Sequence, residues 1–146
     1  MQRPVSIIYF ERLFWLSLFV GFLSPVFAWD RMMADIARDA ATIPPNVAVT
    51  IVVVILVAMA AISVAFWYGI ARRASNVVKW IYVVWMGFSA LAALADPFHS
   101  EGLRGFALGA SLVSAALTLA SIICLFRPDA VAWFSNRGGV DPKVFD

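Results

Sequence analysis

At 146 residues, 63% apolar and only 14% charged, with a mean hydropathy of +0.89, the chain carries more apolar surface than a soluble domain of its size can bury. That excludes a soluble enzyme, a secreted disulfide scaffold and a disordered chain, and the excess must face lipid. A formal charge of +2, with the basic residues at segment ends and not in a patch, gives no basis for nucleic-acid binding.

A membrane-spanning helix needs about 20 apolar residues to cross about 30 Å of hydrocarbon. Four segments meet that test, near residues 5–29, 47–70, 77–95 and 106–126, and none shows the alternating period of a barrel strand. The expectation is an all-α integral membrane protein, residues 1–146 forming a single transmembrane domain of four helices in a compact bundle.

The first span carries Glu11 and Arg12 near one end and Pro25 near the other, where the lost backbone bond predicts a kink. Arg3, Arg12, the apolar run 13–23 and Val26-Phe27-Ala28 also follow the layout of a signal peptide; the segment is read as an uncleaved anchor. Small residues Ser17, Gly21 and Ser24 are spaced four and three apart, so they share a face that lets another helix approach closely. Phe14, Trp15, Phe19, Phe22 and Phe27 read as packing or lipid-facing groups.

The connection 30–46 holds Asp30, Asp35 and Asp39, and the later connection holds Asp96, His99 and Glu101. Oxygen ligands of this kind suit a hard cation, but with Arg31, Arg38 and Arg104 among them they read as a hydrated loop, and no metal site is expected. Trp29, Met32, Met33, Ile36 and Ala40 would share one face of a short helix in the interface.

Residues 47–70 form an uncharged run between Pro44-Pro45 and Arg72-Arg73, with Ala58, Ala61, Ala65 and Gly69 as its small seam. The third span is short and is lengthened by Val77, Val78 and a snorkelling Lys79, with Gly87, Ala90 and Ala93 as a weaker seam. In the fourth, Ser111, Ser114, Thr118 and Ser121 fall within an arc of about 80° at 100° per residue. Gly105, Gly109, Ala116 and Ala120 fall on the opposite side. The glycine face predicts contact with a second protomer or another protein, and the hydroxyl stripe is a candidate polar path. Cys124 is expected to be a free thiol. The tail 127–146 reads as an interfacial foot: Pro128 stops the span, and Val131, Trp133 and Phe134 can rest on the membrane.

Eight of the eleven basic residues lie at the amino terminus, in the 71–79 connection and in the tail, which predicts an inner-membrane protein with both termini cytoplasmic. Tyr9, Trp67, Tyr68, Trp80 and Tyr82 are expected as interfacial anchors on that side. There, Glu11, Arg12, Arg72, Arg73 and Lys79 form the one polar constellation near hydrocarbon, read as an inner ion pair or a lipid-headgroup site.

A single histidine in a loop and a lack of mid-membrane carboxylates exclude bis-histidine haem ligation and a proton relay within one chain, and no cofactor is expected. The expected function is non-catalytic: an accessory or scaffolding subunit whose partners are the lipid bilayer, further copies of itself or other membrane subunits. The alternatives are a homo-oligomeric channel or small-solute transporter, using the hydroxyl stripe, and a lipid-directed enzyme using Glu11, Arg12 and Arg72.

Overall fold

A computed structural model describes residues 4–39, 42–98 and 103–138. Helix α1 covers Val5–Phe27, α2 Trp29–Asp39, α3 Pro45–Trp67, α4 Asn76–Ala95, α5 Gly105–Cys124 and α6 Pro128–Gly138, and no strand occurs among the described residues. Four helical stretches are long and apolar enough to cross a membrane: α1, α3 with its π-helical extension, α4 and α5. The chain is a multi-pass helical membrane protein by this measure. His99, Glu101 and Ala40, with Arg3 and Lys143, lie outside the described residues, and the side chain of Arg137 is also undescribed.

The helix ends follow local chemistry. Pro45 and Pro128 open α3 and α6, where the missing N–H costs nothing and the fixed φ suits the first turn. At its far end α3 widens into a π-helical turn, Tyr68–Arg72, so this span runs two residues beyond the predicted end at 70. Gly69 sits in that turn because a Cβ would meet a Val78 methyl carbon at 2.8 Å. Ala74 then takes the left-handed conformation at φ 48°, reversing the chain into α4 within three residues. Gly105, at φ 62°, makes the corresponding turn into α5. Ala28 joins α1 to α2 without a loop: its N–H donates to the Ser24 carbonyl, and its own carbonyl accepts from Met32. Trp29–Asp39, which takes in the last residue of the predicted first span and the start of the predicted 30–46 connection, forms the short helix expected there; half-buried Trp29, Met32, Met33 and Ile36 alternate with exposed Arg31, Ala34 and Arg38. Pro25 is accommodated inside α1.

The helices do not share contacts evenly. The α1–α5 interface is by far the most extensive, α4 packs along α5, and α3 touches α1 and α4 at few points. The predicted small seam of α3 does not make an interface: Ala58, Ala61 and Ala65 are exposed, and only Gly69 is buried. Lipid tails are as apolar as leucine, so apolar helices have no reason to associate beyond contacts that small or polar residues make possible, and α3 presents few of these.

The solid core lies at one end, called basal here, where α1 and α4 begin, α5 ends and α6 folds beneath. Ile7, Phe10 and Phe14 of α1 meet Ile70, Ala71 and Ala74, Tyr82 of α4, Leu125, and Ala130, Trp133 and Phe134 of α6. Tyr82 is its hub and is buried, contrary to its expected role as an interfacial anchor. Three rings surround it at 5.7–5.9 Å between centroids: Phe10 edge-on, Phe14 tilted and Phe66 near T-shaped. Asp129 closes this end by accepting the Ser6 N–H at 3.0 Å and the Ser6 hydroxyl at 2.6 Å. It thus satisfies a first-turn donor of α1 from a different helix. These two bonds hold the Asp129 carboxyl below its ordinary range.

Candidate functional site

Small residues let α1 and α5 approach, and hydroxyls then join them. Ser17 Oγ donates to the Ser114 carbonyl at 3.3 Å, and Ser114 Oγ returns the bond to the Ser17 carbonyl at 2.9 Å. With its proton spent on Ser114, Ser17 Oγ accepts from Thr118 Oγ1 at 2.6 Å. Two turns away Ser24 donates to the Ala107 carbonyl at 3.1 Å. A Cβ on Gly21 would stand 2.8 Å from Ser114 Oγ, so glycine here leaves room for the Ser114 hydroxyl where it reaches the Ser17 carbonyl. The seam residues of the first span therefore meet two members of the hydroxyl stripe of the fourth. Ser121 donates to the Thr118 carbonyl at 2.7 Å and so accepts from Tyr82, 2.9 Å away, tying α4 to α5. Ser111 is half-buried.

Above the basal core the helices part. A cleft of about 240 Å³ lies among α1, α3, α4 and α5, walled by Phe14, Leu18, Phe22, Leu56, Met59 and Met86. A second lobe of about 410 Å³ shares Gly21, Pro25, Met59, Met86, Ser114 and Thr118 with it and reaches Ser89 and Ala93. From Phe14 to Pro25 the cleft follows α1 for about 16 Å at helical rise, about half the hydrocarbon thickness. Among the described residues, Tyr82 is the sole ionisable side chain on its walls. Of the hydroxyls that border it, those of Ser17, Ser24, Ser63, Ser89, Ser114 and Thr118 are bonded within the protein, and Ser111 also lines the second lobe. Such a space accepts an apolar chain or the large side chain of another helix. Among the described residues its walls bring no carboxylate, histidine, lysine or cysteine.

The basal polar residues separate into three settings. Trp67 donates its indole N–H to Glu11 at 2.9 Å, and the Arg72 guanidinium lies 5.2 Å over the same indole, so Glu11, Trp67 and Arg72 form one cluster. Arg73 lies 5.8 Å from the Tyr68 ring, and Arg12 is exposed. Lys79 is buried among three rings, with Nζ 4.8 Å from Phe134, 5.0 Å from Phe126 and 5.5 Å from Trp80. The one constellation expected from sequence is thus distributed, and its aromatic components carry no pattern that periodicity would reveal.

On the opposite face of α5, Gly105, Gly109 and Ala116 are exposed, Ala120 is half-buried, and a Cβ on Gly105 or Gly109 would meet nothing within 4 Å. At the α2 end, Arg38 pairs with Asp35 at 2.6 Å and approaches Asp39 at 3.6 Å. Among the described residues no three histidine, cysteine or acidic side chains come together as a metal site. Sequence reasoning passed over Ser6, Ser63, Asp129 and the hub role of Tyr82. A phenol inside an apolar span, which needs a partner, was the one available signal. Comparison with protein-family models, curated proteins and solved structures finds no match, so function is argued from the residues alone.

Proposed function

We propose that this chain is a non-catalytic, multi-pass protein of the inner membrane, with both termini cytoplasmic, that serves as an accessory or scaffolding subunit of a membrane assembly. The observation that carries the reading is the unfilled cleft beside the weakly held α3. The cleft opens to the surroundings between α3 and its neighbours, so a helix of another subunit can bring side chains into it and add contacts that α3 lacks. The bare Gly105–Gly109 face offers a further route for close helix approach. A polar conduit draws less support, since Ser114, Thr118 and Ser121 use their hydroxyls inside the chain.

The test is native mass spectrometry of the protein gently extracted from its own membrane at natural abundance. A complex with other chains in fixed ratio is the expected result, and their identities would name the assembly. Gly109→Leu, which has room in the isolated chain, is expected to dissociate a complex that uses this face. A monomer alone would overturn the reading.

A further inference from the structure

The basal end holds a second feature that the assembly role does not use. Lys79 is 5% exposed, yet its ammonium meets only aromatic rings: it makes no hydrogen bond or ion pair among the described residues. Both carboxylates described at this end are engaged elsewhere, Glu11 with Trp67 and Asp129 with Ser6. Ring faces stabilise a cation but accept none of its three N–H donors as an oxygen would. The residue stands in the first turn of α4, where the helix dipole disfavours a cation and favours an anion. Exposed Arg73 and Arg127, just before α4 and after α5, add positive charge.

An apolar groove begins at the same place. Trp80, adjacent to Lys79, heads a groove of about 380 Å³ that continues along α4 over Ile81, Val84 and Trp85, away from the basal end. An oxyanion at Lys79 would therefore have a hydrocarbon path leading from it toward the middle of the span. Free phosphate explains the ammonium but not the groove, and a neutral lipophile explains the groove but not the ammonium. We propose that Lys79 and the Trp80–Trp85 groove bind one anionic phospholipid, its phosphate on the Lys79 ammonium and an acyl chain along α4. Trp80 and Phe126, 5.6 Å apart, divide the polar end of the site from the apolar one.

The experiment measures lipid retained by the full chain after extraction from nanodiscs holding equal phosphatidylglycerol and phosphatidylcholine, read by native mass spectrometry. One retained phosphatidylglycerol per chain is expected, preferred about fivefold, the factor that one interfacial cation of about 1 kcal/mol supplies. Lys79→Gln should abolish the preference and Lys79→Arg should keep it. Trp85→Ala leaves the rings around the ammonium intact and should weaken retention of the same lipid, which keeps the proposal testable even if Lys79→Gln fails to fold. Equal retention of the two lipids by the parent chain would overturn the proposal. So would a preference surviving in folded Lys79→Gln, or one lost equally in Arg73→Gln, which would mean diffuse surface charge. Displacement of the lipid by inorganic phosphate would overturn it in favour of a simple anion site.

Discussion

Gly21 and Ser114 allow the principal helix contact to be tested quantitatively. In Gly21→Ala the new methyl would stand 2.8 Å from Ser114 Oγ but an ordinary 3.6 Å from Ser114 Cβ. The hydroxyl must therefore turn away, breaking its bond to the Ser17 carbonyl, while the rest of the side chain can stay. Such interhelical bonds contribute about 0.6 kcal/mol on average and up to about 1.7. Alanine in place of glycine returns up to about 1 kcal/mol of helix propensity, so Gly21→Ala alone should change stability little. Ser114→Ala alone should cost about 0.6–1.7 kcal/mol. In Ser114→Ala the obstruction is already gone, and adding Gly21→Ala should stabilise by the full propensity gain. The cycle should thus show a coupling of about 0.6–1.7 kcal/mol, the same bond being lost once and not twice. Equilibrium unfolding of the four proteins in mixed micelles measures it. Additivity within about 0.3 kcal/mol would refute the argument, because it would mean that the Ser114 hydroxyl does not occupy the space above Gly21.

Three further outcomes follow from the basal end. Asp129 has a folded-state pKa below its ordinary value because it accepts two bonds from Ser6, so its contribution to holding α6 is complete above the usual carboxylate range. That contribution should fade as pH falls below about 4; limited proteolysis of the 127–138 segment should show acid-dependent release, and Asp129→Asn should remove the dependence. Ala74→Gly relieves about 1 kcal/mol of left-handed strain and gives up a buried methyl of about 0.8 kcal/mol, so unfolding should shift little, whereas Ala74→Val should destabilise by more than about 2 kcal/mol. Tyr82→Phe removes only the bond to Ser121 and should cost about 1 kcal/mol, while Tyr82→Ala empties the hub among three phenylalanine rings and should cost about 3–5 kcal/mol in the same assay.

The four spans were legible because a bilayer imposes length and apolarity on each helix separately, and those properties are local to the sequence. Packing was most legible where small and hydroxyl residues coincided on a face, although the weaker Gly87–Ala90 seam also packs, with Ala90 buried and Gly87 facing Ile122 of α5. Ser17, Gly21 and Ser24 had both spacing and chemistry, and they meet α5; Ala58, Ala61 and Ala65 had spacing alone, and they are exposed. The difference is physical. A small residue permits close approach, but in a lipid solvent something must still make the approach favourable, and reciprocal hydroxyl–carbonyl bonds supply it. The Ser6–Asp129 bonds, between residues 123 positions apart, had no local signature. Once α6 lies across the basal end, Trp133 and Phe134 have apolar partners there, and that end closes into a core while the rest of the helix set stays open. Phe134, one of the rings that close it, also lies 4.8 Å from the Lys79 ammonium without neutralising it. The element that makes the fold compact at one end therefore also leaves a positive charge in want of an anion at the membrane boundary.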